Sequence, residues 1–301
     1  MRALVVDHSV PGRLALATVP DPVPGPDEVL VRISAISLNY GELPKADDAP
    51  AGVIPGWDAA GVVERAAASG RGPKAGERVV TFGADAGWAE LRAVDVDELA
   101  VLPDEVGFAE AATLPVAAVT ALRALRQGEV RPGHRVAITG ASGGVGRFAV
   151  QLAAQGGAEV YALVGGAARG EGLAELGADH VLTSAEEIDE PLDLVLDNVG
   201  GDLLGDVLGH LAPGGVVLSI GTASGQPTTL APYQLIAGQI TLVGFQRGGR
   251  STADLGHLLR LLATGRLDAG VDWQSDWEKA GEAAVALLER RIKGKAVLTI
   301  G

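Results

Sequence analysis

Four glycines, at positions 140, 143, 144 and 146 in the run Gly140-Ala141-Ser142-Gly143-Gly144-Val145-Gly146, have the type and spacing that most directly imply chemistry in this chain. A missing side chain at such positions lets the backbone approach a pyrophosphate and lets a helix pack closely on a strand. Ahead of the run, Arg135 to Thr139 is a short apolar stretch bounded by Pro132-Gly133 and Gly140, the pattern of a buried parallel strand. Behind it, Val145, Phe148, Ala149, Leu152 and Ala153 recur at helical spacing and give one apolar face. Strand, turn and helix in this order aim unpaired N–H groups and a positive dipole end at whatever sits above the turn, which favours a phosphate. That context raises the glycine pattern above a simple helix cap, and a bound nucleotide is expected.

A second set of residues bears on which nucleotide. NAD-selective sites end the second strand in a carboxylate that holds the ribose 2′-hydroxyl. Here that strand ends in Val164-Gly165-Gly166, and no carboxylate occurs until Glu171. Arg169 lies in the following loop, where a guanidinium can pair with a 2′-phosphate in fork geometry, so NADPH is the preferred cofactor. The alternative for Arg169 is a solvated charge at a helix start. Asn198 and Gly221 end the fourth and fifth strands, and Phe245 and Gln246 end the sixth. Ligands of open α/β sheets gather at such strand ends, so Asn198 and Gly221 are expected to touch the cofactor and Phe245 and Gln246 to flank its nicotinamide. Asp197 reads as structural.

Composition removes other chemistries. The chain has no cysteine, so disulfides, thiolate nucleophiles and thiolate metal sites are excluded, and a reducing cytoplasm is compatible. Its five histidines, His8, His134, His180, His210 and His257, are scattered with no pair at i, i+4, and no metal site is expected. Without a Lewis acid to polarise an alcohol, the chemistry left is hydride delivery to an acceptor that is already electrophilic. A formal charge of -14 argues against nucleic acid or an anionic membrane as partner. The N-terminus has no long apolar core and no run is expected to reach the length of a membrane span, so the expected location is cytoplasmic.

These residues need elements to hold them, and 301 residues suffice for two lobes. From Met1 to about Leu38 alternation predicts strands at RALVVD, Gly12 to Thr18 and EVLVRISAISL. The stretch NYGELPKADDAPAGVIP is polar, broken by proline and without period. GWDAAGVVERAA, GERVVTFG and WAELRAV add three short strands, completing an all-β lobe of small-barrel type. Residues 108 to 126 change to helical period. Beyond them EVYALVG, DHVLT, LDLVLD, GGVVLSIG and QITLVGF alternate with helices expected around Glu171 to Leu176, near Gly201 to Leu211 and over Ala253 to Ala263, a doubly wound parallel sheet. A helix from Asp276 to Glu289 and the strand KAVLTI are assigned back to the first lobe. The expected class is α/β, with one domain at 1–115 joined by 267–301 and a second at 116–266.

The motifs SLNY at 37 to 40, PGWDAAGVV at 55 to 63, GERVVTFG at 76 to 83, ATLPVAAVTALRAL at 112 to 125, GASGGVG at 140 to 146, LGADHVL at 176 to 182, LDLVLDNVGG at 192 to 201, LAPGGVVLSIG at 211 to 221 and GKAVLTI at 294 to 300 span nearly the whole chain. In order and spacing they resemble the medium-chain dehydrogenase/reductase superfamily, and in detail its zinc-free quinone oxidoreductase branch. The resemblance implies a GroES-like β-barrel catalytic lobe, a Rossmann lobe and NADPH in the cleft between them. The opening motif of short-chain dehydrogenases also fits Thr139 to Gly146, but their Tyr-x-x-x-Lys is missing: Tyr40, Tyr161 and Tyr233 are followed four places on by Pro44, Gly165 and Ala237.

The resemblance further points to Asn39 and Tyr40 at the nicotinamide end, with Thr120 near the carboxamide. Tyr40 is the candidate for hydrogen-bonding the acceptor carbonyl or supplying a proton after hydride transfer; a packing tyrosine at a loop start is its alternative. Asp58 and Lys295 are equally ambiguous candidates, their alternatives being a turn-fixing residue for Asp58 and a solvated strand-end charge for Lys295. Relatives commonly carry Asp three places after the Asn and a longer, aromatic-bearing loop, whereas this chain has Glu42 and PKADDAPAG, a loop expected to shape the substrate pocket. The expected activity is metal-free hydride transfer from NADPH to a quinone or α,β-unsaturated carbonyl. An enoyl-thioester reductase and a non-catalytic NADPH-binding protein are the alternatives. The last strand of the sheet leaves an unpaired edge, so a homodimer through Gln239 to Phe245 is expected, as in the family.

Overall fold

Alternating apolar positions in the first 101 residues resolve into β1 (Arg2–Val6), β2 (Leu14–Thr18), β3 (Glu28–Leu38), β4 (Asp58–Arg65), β5 (Arg78–Phe82), β6 (Leu91–Asp95) and β7 (Leu99–Val101). In this computed structural model, which describes Met1 to Gly301, β1 and β2 pair with each other in a two-stranded antiparallel sheet. The long strand β3 organises the rest of the unit, pairing antiparallel with β4 along one edge and with β6 along part of its length. Its Val29, Val31, Ile33, Ile36 and Leu38 join Trp88 and Trp277 in one core. Burying each such side chain contributes roughly 1.5–3 kcal/mol, enough to fix the strand's register.

The proline-broken stretch after β3, expected to lack regular structure, holds a short helix, α1 (Leu43–Asp48). Pro44 lies in its first turn, where a missing N–H costs nothing, and Leu43 and Ala46, three apart, are its buried pair. A single turn of α2 (Phe108–Ala111), a π-type turn at Leu114–Ala118 and α3 (Val119–Gln127) follow. Contrary to expectation, the run Phe108–Gln127 is long and apolar enough by composition to cross a membrane. Since 72% of its apolar window is buried within the protein, this is the composition of a core helix.

The chain divides into two compact units, Met1–Val119 with Gly249–Gly301, and Thr120–Gly248. In the second, β8 (Arg135–Thr139), α4 (Gly144–Gln155), β9 (Glu159–Leu163), β10 (His180–Leu182), β11 (Leu192–Asp197), α5 (Gly201–Val207), β12 (Leu211–Ser219), α6 (Pro232–Gly238) and β13 (Thr241–Gly244) alternate. All strand pairs in its six-stranded sheet are parallel, in the order β10-β9-β8-β11-β12-β13. The strand order reverses between β8 and β11, which places the ligand crevice beyond Thr139 and Asp197. The helix expected around Glu171 to Leu176 does not form. A 3-10 turn at Ala167–Arg169 and a series of turns replace it, with Gly172 at φ +78° and Gly177 at φ +105°. Glycine disfavours helix, and left-handed glycines interrupt one.

The units meet at 119/120 and 248/249 rather than at 115/116 and 266/267, because α7 (Thr252–Ala263) belongs with the first unit. Its Leu255, Leu258, Leu259 and Leu261 are buried, and Ser251 Oγ, just ahead of it, donates to Glu98 Oε2 at 2.5 Å. Strand β14 (Val271–Asp276), helix α8 (Ala280–Leu288) and strand β15 (Lys295–Thr299) complete that unit. Strand β15 lies between β14 and β3, antiparallel to β3 with Ala296 opposite Leu38, so the last strand of the chain sits inside the sheet.

Candidate functional site

The second unit presents the glycine-rich turn as a cradle. Gly140 has φ +61°, and a Cβ on Gly146 would stand 2.4 Å from Gly140 O and 2.6 Å from Ala141 Cα, so the first turn of α4 can approach β8 only without a side chain there. Ala141 N donates to Leu163 O at 3.0 Å and Gly143 N to Gly140 O at 2.9 Å, which fixes the turn against β9. Gly143 is the N-cap of α4 and supplies no side chain to its leading amides; Gly144 and Val145 follow as the first helical residues. Those N–H groups and the helix dipole are left for an anion. Arg147, in the same turn, buries its Nε without a hydrogen-bond partner.

At the switch point Asp197 acts as a strut. Its Oδ1 accepts from Thr139 Oγ1 at 2.7 Å, from Val199 N at 3.2 Å and from Gly200 N at 3.1 Å. Asn198 binds the end of β8 twice, N to Thr139 Oγ1 and Nδ2 to Thr139 O, each at 2.9 Å. A Cβ on Gly221 would lie 2.8 Å from Asn198 O, so the fifth strand's end needs glycine to lie this close to the fourth. Past β9, buried Val164 donates N to Leu182 O, while a Cβ on Gly165 would meet nothing within 4 Å. Arg169 turns back toward the cradle, its Nε donating to Ser142 Oγ at 2.9 Å. Thr120, on α3, is buried, as is Phe245, whose N donates to Ser219 O at 2.8 Å; Gln246 is exposed. Open space beyond Gly165, an uncapped helix start and a guanidinium beside the turn fit a nicotinamide dinucleotide.

The first unit contains a buried charged network whose members read from sequence as separate, ambiguous residues. Asn39 is at its centre. Its Nδ2 donates to Glu42 Oε2 at 2.9 Å and to Asp58 Oδ2 at 2.8 Å, and its Oδ1 accepts from Lys295 Nζ at 2.5 Å. Lys295 Nζ also donates to Leu38 O at 3.0 Å and lies 3.5 Å from Asp58 Oδ2. Asn39, expected beside the nicotinamide, therefore has its amide engaged inside the protein at 8% exposure, and Lys295, for which a solvated charge was one expectation, is buried. Tyr40, the next residue, points the other way in burial, at 36% exposure.

Glu42 and Arg92 are the residues that sequence reasoning undervalues. Glu42 Oε2 also accepts from Asn39 N at 3.0 Å, and its Oε1 accepts from Trp57 N at 2.6 Å. Burial first, then the Asp58 carboxylate, push the Glu42 carboxyl up to about 8, against the pull of the Asn39 amide and the Lys295 ammonium. Burial lowers Lys295 in turn, countered by Asp58 and Glu42. Arg92, also buried, donates to Trp57 O at 2.9 Å, Thr81 Oγ1 at 3.1 Å, Gly56 O at 3.3 Å and Asp85 O at 2.9 Å. Two acids and two cations thus share this interior, a balance that keeps buried charge tolerable. Glu42 stands out in the sequence only as a departure from the family's Asp, and Arg92 carries no motif at all. No three His, Asp or Glu side chains converge on a common point, so the donor set does not fit a zinc ion.

Comparison with known proteins finds family matches in both halves of the chain. Residues 25–124 match the family model described as Alcohol dehydrogenase GroES-like domain, and residues 144–264 that described as Zinc-binding dehydrogenase. A solved quinone oxidoreductase from Pseudomonas syringae superposes with a TM-score of 0.88 at 28% identity, covering 99% of both chains. Among curated proteins, a phenolphthiocerol/phthiocerol polyketide synthase of Mycobacterium tuberculosis is 35% identical over 234 residues, 70% of this chain. The chain spans 10% of that protein's length. The 2-methylene-furan-3-one reductase of Solanum lycopersicum is 33% identical over 197 residues, covering 58% of this chain and 50% of the reductase. A GroES-like domain and a parallel Rossmann-type sheet make up the α/β fold that the sequence led one to expect.

Proposed function

Because the chain belongs to the medium-chain dehydrogenase/reductase superfamily, in its quinone oxidoreductase branch, we propose that it is an NADPH-dependent, zinc-independent reductase of quinones or α,β-unsaturated carbonyls. The observation that carries the cofactor half is the bond from Arg169 Nε to Ser142 Oγ, which stations a cation at the cradle where an NAD site would have an acid. The nicotinamide cofactor supplies the hydride, and the chain's residues hold and orient.

In this reading the α4 amides and the backbone of Gly143 and Gly144 bind the pyrophosphate, with Arg169 on the 2′-phosphate. Asn198 and Gly221 bound the crevice at the switch point, and Phe245 and Gln246 flank the nicotinamide. Tyr40 Oη is the exposed polar group that hydrogen-bonds the acceptor oxygen or gives up its proton there. The Asn39–Glu42–Asp58–Lys295 network holds the Leu38 carbonyl and Asn39, the two residues that lead into Tyr40. Zinc independence is supported by the absence of cysteine and of converging ligands in the donor set. The names of the similar quinone oxidoreductase and furanone reductase support the acceptor class.

Strand β13 is an edge, and beside it α6 buries none of its residues, leaving Tyr233 77% and Ile236 72% exposed. An edge with such apolar neighbours favours pairing, and we read it as the interface of a homodimer.

The test is NADPH oxidation followed across a panel of quinones, alkenals and enoyl thioesters. Turnover of quinones or alkenals supports the proposal. Turnover of thioesters alone assigns an enoyl-thioester reductase, and tight NADPH binding with no turnover assigns a non-catalytic cofactor-binding protein.

A further inference from the structure

Trp57 has its peptide gripped from both sides by buried charged groups. Glu42 Oε1 accepts from its N at 2.6 Å, and Arg92 Nη1 and Gly83 N donate to its O at 2.9 and 3.1 Å. Taking an acidic side chain and a guanidinium out of water to fix one peptide is costly. The residue so fixed is not a core aromatic: Trp88 and Trp277 are fully buried, whereas Trp57 remains half-buried. Its ring lies against Gly41, where a Cβ would stand 3.6 Å from Cη2 and 3.8 Å from Cζ3. Gly41 directly follows Tyr40, so the indole packs one residue along the chain from the exposed phenol. Lys45 Nζ sits 4.6 Å from the centroid of the same ring. It is the only basic residue between Asn39 and Trp57.

We propose that Trp57 with Lys45 is the specificity-determining surface for the electron acceptor, which is a flat, conjugated carbonyl ring carrying an anionic substituent. This rests on the reductase reading and narrows its substrate class. An electron-poor quinone ring stacks well on the electron-rich indole in an offset arrangement. An ammonium close to that indole gives a carboxylate or sulfonate on the ring a charge-assisted partner. On a chain of formal charge -14, which repels anions generally, the Lys45 ammonium beside the stacking surface sets orientation as well as attraction. Glu42 and Arg92 are positioning residues here, since they act through the Trp57 peptide.

The experiment measures binding of anthraquinone-2-sulfonate and of uncharged 2-(hydroxymethyl)anthraquinone by calorimetry, alongside NADPH oxidation with each and with trans-2-hexenal. Trp57→Leu should weaken both anthraquinones about tenfold and lower the ratio of kcat/KM for anthraquinone over hexenal by a similar factor. Trp57→Phe, which keeps a ring, should retain most of the affinity, and Lys45→Gln should weaken the sulfonate alone, several-fold. Equal anthraquinone affinity in wild type and Trp57→Leu, equal loss in the Leu and Phe variants, or no anthraquinone binding to the wild type would overturn the assignment. Failure of the reductase reading has a different signature: anthraquinone binding that depends on Trp57, with no NADPH oxidation by any acceptor.

Discussion

Arg169 Nε donates to Ser142 Oγ at 2.9 Å, tying the loop after β9 to the turn that opens α4. On the NADPH reading proposed above, the guanidinium so held pairs with the 2′-phosphate, a group that NADH lacks. Arg169→Ala should raise KM for NADPH by about tenfold or more while changing KM for NADH little. Steady-state kinetics with both cofactors decide it, and parallel effects would remove Arg169 from the site.

Gly146 faces the backbone of Gly140 and Ala141 at distances that admit no Cβ. Gly146→Ala should cost about 1–3 kcal/mol through overpacking and push α4 away from the turn. Thermal melts should show a fall of several degrees, and calorimetry a loss of NADPH affinity that exceeds the loss expected from stability alone.

Tyr40→Phe removes one oxygen from an exposed ring. If Tyr40 Oη donates to the acceptor, kcat should fall by about a hundredfold, within the range for general acid catalysis, with NADPH affinity unchanged. Undiminished turnover with both quinones and enones would end that role.

Glu42 supplies a pH signature. Its folded carboxyl sits at about 8, against 4.5 for a glutamate in water, so the native chain binds a proton in that window that the unfolded chain has released. Stability from this group is therefore complete below about 4.5 and is lost as pH rises toward 8. Glu42→Gln should flatten the decline in melting temperature over that interval, even if the variant is less stable throughout because one backbone donor at Asn39 or Trp57 loses its acceptor. An unchanged slope would place the proton elsewhere.

Exposed Tyr233 and Ile236 test the association proposal. Tyr233→Asp with Ile236→Asp should convert a dimer into a monomer in sedimentation, leaving the melting temperature of the second unit little changed. A wild-type monomer at micromolar concentration would dispose of the interface.

The parts of the fold that sequence exposes are those where one local rule dominates. The β8–turn–α4 unit is written in consecutive residues, from the apolar strand through Gly140 to the helical face of Phe148 and Leu152. The region after Gly166 misleads, since glycines at 170, 172 and 177 defeat a helix that Leu173 and Leu176 make plausible. Helix α1 is missed for the opposite reason, as Leu43 and Ala46 give too short an apolar pattern to register as a period. The buried network is the least legible feature. The neighbours Asn39 and Glu42 are joined by Asp58 and Lys295 from elsewhere in the chain, and only the pairing of β3 with β4 and β15 brings the three parts within hydrogen-bond reach.

The internal place of β15 in its sheet also bears on the nascent chain. The second unit is continuous from Thr120 to Gly248 and can complete itself as soon as it leaves the ribosome. The first cannot, because residues 295 to 299 must be threaded between β14 and β3 before that sheet closes. A polypeptide interrupted ahead of Lys295 would leave Glu42 and Asp58 stranded in the interior without the ammonium that offsets them. Such truncated chains should be recognised by proteases through an unsealed first unit while still carrying an intact second one.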